Sequence, residues 1–136
     1  MKLLMATLIF LASVAAQAAS PDEILRDYAS QARKENTSFK EFSAANGRRF
    51  YGAAVKHSSG KAMSCATCHS ADPKGAGRHE RTGKEIAALA PAANKERITD
   101  AANVEKWFRR NCRDVLERDC SLQEKGDFIA FLLSVK

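Results

Sequence analysis

Cys65-Ala66-Thr67-Cys68-His69 is a C-x-x-C-H run, and reading it correctly decides what kind of fold can surround it. The spacing has a chemical reason. Two thiols two residues apart reach the two vinyl groups of one porphyrin, and the adjacent imidazole then falls on the iron. Cys65 and Cys68 are therefore expected to carry a covalently attached haem c, with His69 as the proximal iron ligand. Half of a zinc site and a thioredoxin-like redox pair are the competing readings. The first needs a second ligand pair at matching spacing and the second a neighbouring βαβ pattern, and neither occurs in this chain.

The N-terminal residues agree with that chemistry. Lys2 opens a short basic segment, Leu3 to Ala12 is apolar but too short to span a bilayer, and Ala16-Gln17-Ala18 supplies small residues suited to a signal peptidase. Residues 1–18 read as a secretory signal peptide, with an uncleaved anchor as the alternative, and residues 19–136 as one domain without repeats. Export to the periplasm follows, as does a mature chain without a transmembrane segment. The net charge of +6 is mild, and Arg48-Arg49, Lys95 to Arg97 and Lys106 to Arg110 are scattered rather than striped, which argues against nucleic acid. These charges serve as solvated helix faces or as a docking surface for an acidic redox partner.

Four helices have a physical basis in the sequence. Ser20-Pro21-Asp22-Glu23 combines an N-cap, a proline at the first helical position and a capping-box acid ahead of Ile24, Leu25, Tyr28 and Ala32, predicting a helix to about Lys34. Phe39 to Val55 carries Phe39, Phe42, Phe50 and Tyr51 and reads as a second helix with a weak point at Asn46-Gly47. Ser58 to Gly60 reads as a loop, and Ser70 to Gly83, with Pro73 and three glycines, as irregular chain wrapping the cofactor edge. A third helix follows Asp100 with Val104, Trp107, Phe108 and Asn111 at i, i+3, i+4 and i+7. A fourth follows the capping box Ser121 to Glu124 and buries Phe128, Ile129, Leu132 and Val135. No strand pattern competes, so the fold class is all-α.

The sixth iron position separates electron shuttles from ligand binders. Electron-transfer cytochromes close it with Met or a second His. Past the signal, Met63 is the one methionine, two residues before Cys65 and badly placed to reach the opposite haem face. His57 and His79 sit in polar loops and read as surface residues. Asn111 is the polar residue on a face aimed at the core. By spacing alone it reads either as a ligand or as a helix C-cap, where Asn is favoured.

Cys112 and Cys120 remain after haem attachment, and in an exported chain an even pair most naturally forms a disulfide, free buried thiols being the alternative. An unbroken helix would separate them by about 12 Å, beyond disulfide reach, so the chain is expected to turn back between them. Asn111 would then sit at the end of its helix.

The stretch Arg81 to Pro91 (RTGKEIAALAP), then Thr99-Asp100, Val104-Glu105-Lys106-Trp107, Asn111-Cys112 and Asp119-Cys120, resembles the SHP (sphaeroides haem protein) family of monohaem cytochromes c, relatives of cytochrome c″. The resemblance runs from about Asn46 to Leu133 and leaves residues 52–63 unmatched. It implies a small cytochrome c-like helical domain around one haem, a disulfide between Cys112 and Cys120, and Asn111 as the distal iron ligand in the ferric state. A carboxamide oxygen is a hard, weak donor that suits ferric iron better than ferrous, so reduction is expected to release Asn111 and admit a diatomic gas. The resemblance further implies binding of oxygen and nitric oxide, with electrons from a dihaem cytochrome c and a membrane cytochrome b. Three classes of function stay open at this level: a ligand-binding redox protein, a six-coordinate electron shuttle closed by His57, His79 or a lysine, and an enzyme reducing oxygen or oxidising nitric oxide.

Overall fold

The computed structural model describes residues 18–136, so the signal reading of residues 1–18 lies, apart from Ala18, outside the described residues. Five helices account for most of the regular structure there: α1 (Pro21–Glu35), α2 (Ala44–Gly52), α3 (Cys65–His69), α4 (Ala101–Leu116) and α5 (Leu122–Ser134). Two antiparallel pairs of two-residue strands, β1 (Val55–Lys56) with β2 (Ala62–Met63) and β3 (Gly77–Arg78) with β4 (Glu85–Ile86), pin the loops on either side of α3. The all-α reading holds, with these clips as a small addition that no periodicity announces. Among the described residues, no helix is long and apolar enough to cross a membrane.

Capping residues set the helix starts. Ser20 and Glu23 form a reciprocal capping box on α1, and Ser121 and Glu124 form one on α5. Asp100 accepts the Asn103 N–H at 3.0 Å to open α4. The second helix is shorter than its sequence suggests. It starts after Ser43, whose hydroxyl accepts the Asn46 N–H at 3.2 Å, leaving Phe39 and Phe42 on irregular chain before it. Asn46-Gly47 is not a break but part of the first turn.

Gly47 is required by packing. A Cβ there would lie 1.9 Å from the Asp127 carbonyl oxygen, so the glycine lets α2 and α5 cross in contact. Buried Asp127 reinforces that crossing, its Oδ1 accepting the Ser43 N–H at 2.7 Å and the Gln123 amide at 2.8 Å. Ile24, Tyr28 and Ile129 form one buried cluster, with Val104 and Phe108 against it, while Tyr51, Phe131 and Leu132 form another. On α5, Ile129 and Leu132 are buried as expected. Phe131 is buried as well, whereas Phe128 and Val135 are only partly so.

Candidate haem site

Helical geometry puts the chemistry of α3 on one side. Cys65, Cys68 and His69 stand at i, i+3 and i+4, hence on one face, and all three line one cavity of about 1010 Å³. The turn is stabilised at its start by Thr67, whose hydroxyl accepts the Ser64 N–H at 2.9 Å. At its end Ser70 takes φ 65° and ψ 164°, a region few residues other than glycine visit. The Tyr51 hydroxyl meets the carbonyl oxygens of both His69 and Ser70, at 3.1 and 2.5 Å. Gly77 of β3 lies against the same turn. A Cβ on it would come within 2.1 Å of the Cys68 carbonyl oxygen and 2.7 Å of the His69 Cα.

The segment after α3 forms a further wall. The Pro73 carbonyl accepts the N–H groups of Leu89 and Ala90, both at 2.9 Å. Arg97, which lines the cavity, braces that loop by donating to the carbonyls of Ala88 at 2.8 Å and Ala87 at 2.7 Å. Facing it, α4 contributes Val104, Trp107, Phe108, Asn111 and Cys112 to the cavity lining, and Phe108 meets Phe128 edge to face at 5.5 Å. His57, Lys61, His79 and Glu80 edge the lining.

Electrostatics suit a neutral nitrogen ligand. Burial, with the positive charge of Arg97 second, pushes the His69 imidazole down to about 4, so it is uncharged near neutral pH. Burial likewise pushes the Cys65 thiol up to about 11. Cys65 and Cys68 are both unpaired, and Cys112 and Cys120 form a disulfide with Cα atoms 5.7 Å apart.

Three sequence expectations change here. First, α4 does not end at Asn111. It continues to Leu116 and is capped by Glu117 in the left-handed conformation, φ 56°, and the turn that brings Cys120 back to Cys112 follows. Asn111 is therefore interior to its helix, which removes the C-cap alternative. Second, His57 is not merely a surface residue: its side chain is 21 % exposed, its Nε2 lies 3.5 Å from Glu117 Oε1, and it lines the cavity. His79 lines it too, its Nδ1 accepting the Thr82 N–H at 3.2 Å. Third, Tyr51, Gly77 and Arg97 are site residues that the sequence reading does not single out. Tyr51 stands out there only as one aromatic residue among several, Gly77 as one of three glycines in an irregular segment, and Arg97 as the end of a scattered basic run.

Two unpaired thiols and a neutral imidazole on one helical face, opening into a largely apolar cavity at the upper end of the size range for small-molecule sites, fit a covalently attached haem. A helical domain built around such a site is a c-type cytochrome. A family model described as "Domain of unknown function (DUF1924)" matches residues 37–132. The chain is 37% identical over 126 residues to cytochrome c″ of Methylophilus methylotrophus, covering 93% of this chain and 88% of that protein. It is 58% identical over 69 residues to the cytochrome c-type protein SHP of Cereibacter sphaeroides, covering 51% of this chain and 53% of the relative. Oxidised cytochrome c″ superposes with a TM-score of 0.79 at 38% identity, over 85% of this chain and 94% of the other. Oxidised SHP, described as an oxygen-binding cytochrome c, superposes with a TM-score of 0.73 at 40% identity, over 85% and 96%. The chain belongs to the SHP and cytochrome c″ family of c-type haem proteins, as the residues from Arg81 to Cys120 suggest, and its cofactor is covalently bound haem.

Proposed function

We propose that this chain is an exported, redox-gated cytochrome that binds a diatomic gas, with Asn111 as the gate. Cys65 and Cys68 hold the haem and His69 is the proximal ligand. When bound, the haem supplies one-electron chemistry and an exchangeable coordination position. The observation that carries the reading is the position of Asn111, interior to α4 and lining the same cavity as His69 and the cysteine pair.

With haem held, the Asn111 carboxamide oxygen, a hard and weak donor, would ligate the ferric iron and be released on reduction. Its NH2 group stays on the cavity wall and can donate a hydrogen bond to the incoming ligand, oxygen or nitric oxide. The Cys112–Cys120 disulfide begins one residue further on and restrains the chain that moves with Asn111. The oxygen-binding description of SHP and the haem-ligand detachment described for cytochrome c″ support this reading. Electrons arrive from a partner cytochrome, a dihaem cytochrome c fed by a membrane cytochrome b. Residues 1–18 are a cleaved signal peptide and residues 19–136 the periplasmic domain.

Asn111→Val tests the gate. The ferric protein should become high spin or water-bound, while the reduced protein still takes up carbon monoxide. An unchanged ferric electron paramagnetic resonance spectrum would move the ligand to His57, His79 or a lysine and favour a plain electron shuttle. Both histidines line the cavity, as do Lys61 and Lys84. Sustained oxygen consumption with a reduced donor would instead favour an enzyme.

A further inference from the structure

We propose that Tyr51 is a positioning residue for His69, holding the His69-Ser70 turn in a backbone conformation that the turn would not keep by itself. The inference rests on His69 being the haem ligand and does not require Asn111 to be one. Ser70, directly after the ligand, stands at φ 65° and ψ 164°, where a side chain is strained and release of the strain is downhill. Relaxing Ser70 toward an ordinary extended conformation would turn the His69-Ser70 peptide and with it the direction in which the imidazole leaves the His69 Cα.

Besides the Ser70 hydroxyl, which donates to the Asp72 carbonyl at 2.7 Å within the turn, two contacts from outside the turn oppose that movement. The Tyr51 Oη carries one proton and sits 2.5 Å from the Ser70 carbonyl oxygen and 3.1 Å from that of His69, so it draws both oxygens to the same side. The ring behind it is 3 % exposed and lies against Phe131 and Phe128 of α5, with ring centres 5.5 and 6.0 Å away. The hydroxyl is thus fixed by the α2–α5 crossing rather than by the turn it holds. Gly77 also packs against this turn, so closely that a Cβ on it would come within 2.7 Å of the His69 Cα. With haem held, nitric oxide would weaken the bond from His69 to the iron, which makes it the probe that would reveal the anchor.

The test uses the haem-loaded protein and compares the parent with Tyr51→Phe, Ser70→Gly and the double variant, with His69→Ala alongside. Phenylalanine keeps the ring packing and removes only the hydroxyl. In Tyr51→Phe, the fraction of ferrous nitrosyl protein lacking the proximal imidazole, read by electron paramagnetic resonance, should rise about tenfold, equivalent to about 1.4 kcal/mol. The ferric g values, which need no gas, should shift. The double variant should return both readouts toward the parent, because glycine occupies that backbone region without being held. Parent-like nitrosyl and ferric spectra for Tyr51→Phe would overturn the proposal, and so would a double variant no better than the single one. If reduced protein takes up no nitric oxide, the gas-binding reading fails and the ferric g values alone decide the role of Tyr51. An unchanged ferric spectrum in His69→Ala would remove the ligand assignment and this inference together. Its loss there, with no change in Tyr51→Phe, would remove only the role of Tyr51.

Discussion

At the scale of single residues, the haem motif depends on neighbours distant in sequence. The turn Cys65–His69 is a five-residue helix, too short to be stable alone, so Gly77 and Tyr51 are part of what makes it a site. Gly77→Ala puts a methyl group 2.1 Å from the Cys68 carbonyl oxygen, and the obstructing atoms are backbone. The variant should lose about 1–3 kcal/mol and leave a larger fraction of chains without haem, measured by urea unfolding and by the haem-to-protein ratio after purification. The thiols and imidazole themselves are legible from C-x-x-C-H, because that spacing is local. Gly77 and Tyr51 are not, because nothing local says which glycine or which aromatic ring will meet the turn.

At the scale of elements, α4 carries the proposed ligand and the disulfide closes the chain behind it. Its N-cap Asp100 was legible and its end was not, because the helix stops where Glu117 adopts the left-handed conformation, a position sequence preference assigns to glycine or asparagine. Asn111 resembled such a stop by composition alone. Replacing Cys112 and Cys120 together by serine should lower the unfolding free energy by about 2.6 kcal/mol on the chain-entropy account. Denaturant titration of the variant against the parent checks this, with the intact mass of alkylated, unreduced parent confirming the bond. Loosening beyond Asn111 should also speed carbon monoxide uptake by the reduced protein if the disulfide restrains the gate.

At the scale of the whole molecule, Glu105 joins three helices. From α4 it accepts the Tyr28 hydroxyl of α1 and lies 2.8 Å from the Lys125 ammonium of α5. Burial pushes its carboxyl up, but the hydrogen bonds from Lys125 and Tyr28 outweigh that and hold it below the usual range. The folded value is lower than the unfolded one, so its stabilisation is complete above about 4.5 and is lost as pH falls through the folded value. Tyr28 has the opposite sign. Burial first, then its bond to Glu105, raises it, and its contribution is complete below about 10 and lost as pH rises through the folded value. Glu105→Gln should therefore be less stable than the parent at pH 7, with the gap closing as both are titrated to pH 3. A gap constant in pH would show that the ion pair is not its source.

The amino-acid sequence by itself determined the cofactor chemistry, the helical class and the starts of α1, α4 and α5, because each rests on a short run: C-x-x-C-H, Ser20 to Glu23, Asp100, and Ser121 to Glu124. Tertiary structure decided which distant residues surround those runs. Gly47 fits beneath the Asp127 carbonyl, Tyr51 reaches the turn after His69, Arg97 braces the opposite loop, and α4 passes through Asn111 to Leu116. These depend on close approach between segments far apart in the chain, where backbone clearance and burial, rather than local preference, select the residue.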